Sequence, residues 1–218
     1  MLRTTIFKTT LAVWFALWSP ALIAGLASAR LTRRFIRWDA MGVLWLAKII
    51  TGIRRKIHGK AAAGAIIASK HMSILEVAML AVHCKNAFFI IKKELLLIPV
   101  YGWAFWRMGF IGVDRSGAAN MKKLAGLATK KIRAGRELII FPEGARAKPG
   151  GGVRLKRGLL FIAEAAGVPV QPVGANTGLF WPKNGKMRGG LAELWFEPVL
   201  PPDASLEDIA GAIARHSA

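Results

Sequence analysis

The chain is poor in cysteine, acidic residues, tyrosine and histidine, and each scarcity closes off a class of function. A single cysteine, Cys84, in 218 residues excludes an intramolecular disulfide and any multi-cysteine zinc site, and it suits a reducing compartment. A disulfide framework is also unnecessary, since a chain of this length buries about 70% of its unfolded surface. Asp and Glu total 12 against 32 Lys and Arg, a formal charge of +20. Yet 54% of residues are hydrophobic and the mean hydropathy is +0.38, which excludes disorder. Charge of one sign on an apolar chain points to an anionic lipid surface; a nucleic-acid binder is more often basic and polar, and no nucleic-acid module is recognisable. Eight Trp against one Tyr agrees with an interfacial location.

What is abundant is apolar sequence at the N-terminus. Thr9 to Ala29 runs 21 residues without a charge, enough to cross a hydrocarbon core that needs roughly 20. Pro20 follows Ser19 within it and is expected to kink the helix. Arg3 and Lys8 precede the run and Arg30, Arg33, Arg34 and Arg37 follow it, so the flanks carry little orientation signal. A shorter apolar run, Met41 to Ile53, precedes Arg54, Arg55 and Lys56. Three readings stay open: a cleaved signal peptide ending near Ala27-Ser28-Ala29, a single span, or a helical hairpin in one leaflet whose basic residues sit among headgroups. The last two put residues 1–58 in a membrane anchor and residues 59–218 in a domain on the cytoplasmic membrane face.

Beyond Lys60, strand and helix signals alternate. Ala65 to Ser69 reads as a buried strand, and Ser73-Ile74-Leu75-Glu76 as a capping box opening a helix to about Cys84. Strands are expected at Ala87 to Ile91, Phe110 to Val113, Leu138 to Phe141, Pro169 to Val173 and Ala192 to Phe196. Helices are expected at Pro99 to Trp106, around Met121 to Ile132 with a basic outer face, at Gly158 to Ala166, and after Ser205. The alternation predicts an α/β fold with a substantially parallel sheet flanked by helices.

Four histidines are available for chemistry. His216 falls in a tail expected to fray, and His58 in the basic stretch after the apolar segment. His83 is followed by Cys84, but neighbours on a helix point about 100° apart and do not face each other. His71 lies between a buried strand and a helix start, where open α/β sheets present functional groups. Glu76, five residues on, is placed to hold one imidazole nitrogen and leave the other as a general base; a structural histidine with a capping glutamate is the alternative. Three further stretches end strands with chemical groups: Phe110-Ile111-Gly112-Val113-Asp114-Arg115, Phe141-Pro142-Glu143-Gly144-Ala145-Arg146, and Val168-Pro169-Val170-Gln171-Pro172-Val173.

In this order and spacing the four stretches resemble the glycerolipid acyltransferase superfamily, most closely the 1-acylglycerol-3-phosphate acyltransferases. The resemblance runs from about Ala61 to Thr177 and includes Lys92-Lys93-Glu94-Leu95 and Lys156-Arg157-Gly158. Glu76 stands where the family usually has aspartate, and Ala145 where it has threonine. The resemblance implies direct acyl transfer from acyl-CoA or an acyl carrier protein to the free hydroxyl of a lysophospholipid, giving phosphatidic acid. His71 would be the base and Glu76 its orienting carboxylate, and Arg115, Glu143, Gly144 and Arg146 would form the substrate-phosphate pocket. It implies no metal or bound cofactor, and an anionic membrane as partner. Another lysolipid acceptor, such as a lyso-amino-acid lipid, and a non-catalytic membrane-surface binding protein are the alternatives.

Overall fold

The structure, a computed structural model, describes residues 2–114 and 119–217. Helix α1 (Leu2–Gly25) runs through Pro20 as one helix. Helix α2 (Ala29–Leu46) begins at Ser28, whose hydroxyl accepts from the Leu31 N–H at 3.2 Å. The two form a hairpin: the Thr32 hydroxyl donates to the Gly25 carbonyl at 2.9 Å, and Trp14 Nε1 donates to Asp39 Oδ1 at 2.7 Å. Gly42 permits that approach, since a Cβ there would stand 2.0 Å from the Trp14 ring. A π-helical turn (Ala47–Thr51) then leads into the sheet.

The strands are β1 (Ile53–His58), β2 (Ile66–Ser69), β3 (Ala87–Lys92), β4 (Ile111–Val113), β5 (Glu137–Ile140), β6 (Val170–Ala175) and β7 (Gly190–Phe196), in the spatial order β1-β7-β6-β2-β5-β3-β4. All neighbours pair parallel except β6 and β7. The expected α/β architecture is present. Central strands are buried on both faces, which is why β2 and β6 have no exposed position and, apart from Gln171, read as small and apolar runs.

Successive side chains on a strand point to opposite faces, and the two cores sort accordingly. Ile67, Phe89 and Ile139 face one core with α2 and α3 (Leu75–His83); Phe7 of α1 joins it and meets Trp181 edge-on at 5.0 Å. Ile66, Ala68, Phe88, Leu138 and Ile140 face the other, covered by α5 (Ala119–Arg133), α6 (Gly158–Ala166) and α7 (Leu206–Ala214). Helix α4 (Tyr101–Arg107) packs against the turn of the hairpin, where the Arg107 guanidinium donates to the Leu26 and Ala27 carbonyls.

One boundary moves. Residues 1–58 were expected to belong to the anchor, but Ile53–His58 is a sheet strand registered along β7 from Gly190 to Trp195. Its three consecutive cations hid it, because charges are tolerated on an edge strand whose outer side meets water. The apolar run Met41 to Ile53 is likewise not a separate segment; it is the last third of α2, the π-helical turn, Gly52 and the first residue of β1. His216, expected in a frayed tail, is held: its Nδ1 lies 2.7 Å from Glu197 Oε1, and its ring stacks on Trp195.

Candidate active site

β2 ends at Ser69, and the chain turns through Lys70, His71, Met72 and Ser73 into α3 at the carboxyl edge of the sheet, where parallel sheets expose their loops. His71 is partly open, with 21% of its side chain exposed, and its Nδ1 lies 2.9 Å from Glu76 Oε1. Glu76 has no exposed surface. The same Oε1 accepts the Met72 and Ser73 N–H groups at 2.8 and 2.7 Å, and Oε2 accepts the Thr177 hydroxyl at 2.6 Å. With Nδ1 donating to a carboxylate, the imidazole presents a bare Nε2. Phe141 stacks on the ring at 4.3 Å and limits its rotation.

The expected capping box is half formed. Glu76 takes the Ser73 N–H, but the serine hydroxyl accepts from Leu75 at 3.1 Å instead of from Glu76. Ile74 already has right-handed helical backbone and the helix proper begins at Leu75, so the hydroxyl meets the nearer donor.

Behind the imidazole lies an ion pair that the sequence did not reveal. Lys70 Nζ donates to Glu143 Oε1 at 3.0 Å, with 1% and 7% of the two side chains exposed. Glu143 Oε2 accepts the backbone N–H of His71 at 2.9 Å, and the His71 carbonyl accepts from Ala147 at 2.7 Å. Glu143 was expected to help shape the substrate-phosphate pocket. In the structure both its oxygens are engaged, one by Lys70 and the other by the His71 backbone N–H. Its place is in the frame that fixes His71.

Gly144 has φ +72°, a conformation that favours glycine, and a Cβ there would stand 2.9 Å from Lys156 Nζ. Lys156 is in turn fixed by its N–H bond to the Pro142 carbonyl at 2.9 Å. Arg146, half-buried, has no ion-pair partner among the described residues, and it directly precedes the Ala147 contact with His71. Arg115 lies outside the described residues. Asp114, before it, is paired with Lys93. Gln171, in the fourth stretch, is a brace: its side chain accepts from Ala62 at 2.8 Å and donates to the Lys60 and Glu197 carbonyls.

Cys84 is buried, and burial, helped by the charge of Glu137, pushes its thiol up to about 12; it is a core residue with no thiolate to offer. Sequence reasoning gave no role to Lys70 or Thr177, and named Phe141 and Lys156 only as members of their stretches. Lys70 left a signal of its own, as a lone cation directly after an apolar strand.

Residues 53–176 match the family model described as Acyltransferase. The 1-acyl-sn-glycerol-3-phosphate acyltransferase of Pseudomonas aeruginosa is 32% identical over 192 residues, covering 84% of this chain and 74% of that protein. The protein of the same name from Helicobacter pylori is 36% identical over 127 residues, 57% of this chain and 54% of that one. In fold, the crystal structure of the 1-acyl-sn-glycerophosphate acyltransferase PlsC from Thermotoga maritima superposes with a TM-score of 0.75 at 21% identity, over 97% of this chain and 90% of that chain. The family model spans more than half of the chain from the first residue of β1 to the end of β6, the stretch that carries His71, Glu76, Glu143 and Arg146, and the chain belongs to the acyltransferase family, among whose members are the 1-acyl-sn-glycerol-3-phosphate acyltransferases.

Proposed function

We propose that this acyltransferase moves a fatty acyl group from a thioester to the free hydroxyl of 1-acylglycerol-3-phosphate, making phosphatidic acid at a membrane surface. The observation that carries the reading is the His71–Glu76 contact at 2.9 Å, made by a carboxylate with no exposed surface and four donors. Nε2 of His71 takes the hydroxyl proton as that oxygen attacks the thioester carbonyl. The tetrahedral intermediate collapses, the C–S bond breaks, and the imidazolium returns the proton to the departing thiolate. Glu76 keeps the tautomer and offsets the imidazolium charge. Lys70 and Glu143 hold the backbone of His71, and Arg146, with Arg115, receives the acceptor phosphate. No step calls for a metal or bound cofactor.

The acceptor and the acyl chain are insoluble, which gives the hairpin its purpose. Helix α1 is long and apolar enough to cross a membrane, and Val13, Leu17 and Ile23 on it, Trp45 on α2 and Trp106 on α4 are all more than half exposed. Large apolar side chains left exposed on these helices suit contact with lipid. The hairpin rests in one leaflet with Arg30, Arg33, Arg34 and Arg37 among headgroups, and the sheet lies on the cytoplasmic side, where acyl thioesters are made.

The test is incubation of purified protein in detergent with lysophosphatidic acid and an acyl thioester, with products read by mass spectrometry. Phosphatidic acid is the expected product, and His71→Ala should lower turnover roughly 100-fold to 10,000-fold with membrane association intact. Near-parental turnover in that variant would sink the mechanism.

A further inference from the structure

Helix α5 carries five cations, Lys122, Lys123, Lys130, Lys131 and Arg133, and no acid. Ordinary solvated helices gain a few tenths of a kcal/mol from each acid–base pair at i,i+4, and α5 has none. Its apolar side, Ala125, Ala128 and Ile132, packs on the sheet. Beside that side, Lys122, Gly126, Lys130 and Arg133 fall on one stripe that faces α6, where a groove of about 570 Å³ opens with Phe161 in its lining. A Cβ at Gly126 would meet nothing within 4 Å, so the groove is open above the glycine, and Phe161 keeps 38% of its surface exposed there. Lys122, Lys130 and Arg133 have no ion-pair partner among the described residues.

Position decides what such a groove faces. Helices α5 and α6 cover the sheet face opposite to the one carrying α2, α3 and Phe7 of α1. A bilayer engaged by the apolar surface of the hairpin therefore lies away from the groove, which looks toward water. One end of the groove is close to the chemistry: Met121 packs on Gly158 at the start of α6, and Lys156, two residues earlier, is bonded to the Pro142 carbonyl beside Glu143.

We propose that the α5–α6 groove docks an acidic carrier protein that delivers the acyl thioester. This rests on the acyl-transfer reading above. The cations extend from Lys122 to Arg133, about 16 Å along a helix, a length that matches a row of carboxylates on a partner helix better than the compact phosphates of a nucleotide. An apolar floor between cations is what an amphipathic acidic helix requires of its groove.

The experiment compares the parent with the triple variant Lys122→Glu/Lys130→Glu/Arg133→Glu and with the corresponding triple alanine variant. All three positions are exposed, so melting temperatures should be retained; the alanine variant guards against a fold effect of reversed charge. Initial rates are measured with palmitoyl–acyl carrier protein and with palmitoyl-CoA on the same lysophosphatidic acid. Binding of fluorescently labelled, unacylated holo-acyl carrier protein is read separately by anisotropy. The KM for the carrier-protein donor should rise about 10-fold or more in the glutamate variant, and less in the alanine variant, with the CoA kinetics within about 2-fold of the parent. Anisotropy should show salt-sensitive binding to the parent that the glutamate variant loses. Equal losses on both donors, a loss with palmitoyl-CoA alone, or no loss would overturn the proposal. So would weakened flotation with phosphatidylglycerol vesicles at unchanged carrier-protein KM, which would make the groove a membrane contact. If the parent uses neither donor, the acyl-transfer reading fails, and anisotropy still decides the docking.

Discussion

At Glu76 one carboxylate oxygen collects three N–H donors while the other takes the Thr177 hydroxyl, so the group that orients His71 also shapes the entry to α3. Glutamine can reproduce every one of these bonds, accepting with its oxygen and donating its amide to the Thr177 oxygen. Glu76→Gln should therefore melt within a few degrees of the parent yet lose roughly 100-fold or more in turnover, because the imidazolium loses its counter-charge. Glu76→Asp keeps the charge one methylene short, giving the turnover order Glu, Asp, Gln. Parental activity in the glutamine variant would reject the paired role and leave the fold untouched. A second test concerns the buried pair. Lys70→Met strands the Glu143 carboxylate and should cost about 3–5 kcal/mol of stability, measured by denaturant unfolding in detergent. Adding Glu143→Gln to it should recover much of that loss, since no charge is then left buried and the amide oxygen can still accept from His71. If the double variant is no more stable than Lys70→Met, the pair is not the clamp described above.

At the scale of elements, the hairpin is joined through a buried acid. Asp39 lies on α2, is 5% exposed, and accepts from Trp14 on α1. Burial raises its carboxyl from the usual 3.8 to about 6, against the lowering effect of the Trp14 bond. The folded protein thus holds a proton that the unfolded chain has released between those two values, and stability falls as pH rises through that window. Above it the cost of keeping the charge buried is fully present, on the order of 3 kcal/mol. Asn at this position keeps an oxygen for Trp14 and carries no charge. Asp39→Asn should therefore melt higher than the parent at pH 8 and level with it near pH 4, as read by scanning fluorimetry in detergent. An equal difference at both pH values would show that the charge is not what matters. The elements themselves were legible where composition and period agreed: α5, α6 and the buried strands fall within a few residues of their expected places. Strand β1 was not, because pairing with β7 across more than 130 residues of chain gives three charged positions a β conformation that no local pattern announces.

For the whole molecule, apolar burial is not screened by ions, whereas a purely charged attachment is. Membrane fractions washed at high salt and in alkaline carbonate should retain the full-length protein, as followed by sedimentation and immunoblotting, and extraction by salt alone would reject the embedded hairpin. The charge excess, the apolar N-terminus, the α/β alternation and the pairing of His71 with Glu76 were all determined by the sequence, since each depends on composition or on groups close along the chain; the histidine and its carboxylate are five residues apart. Tertiary structure alone decided the rest. Lys70 meets Glu143 across 73 residues and Thr177 meets Glu76 across 101, distances closed only when β2, β5 and β6 lie side by side. The same closure put Glu143 against the backbone of His71, and it set the basic groove on the sheet face away from the hairpin. A contact between groups far apart in the chain leaves no spacing to read, because its geometry belongs to the sheet and not to either segment.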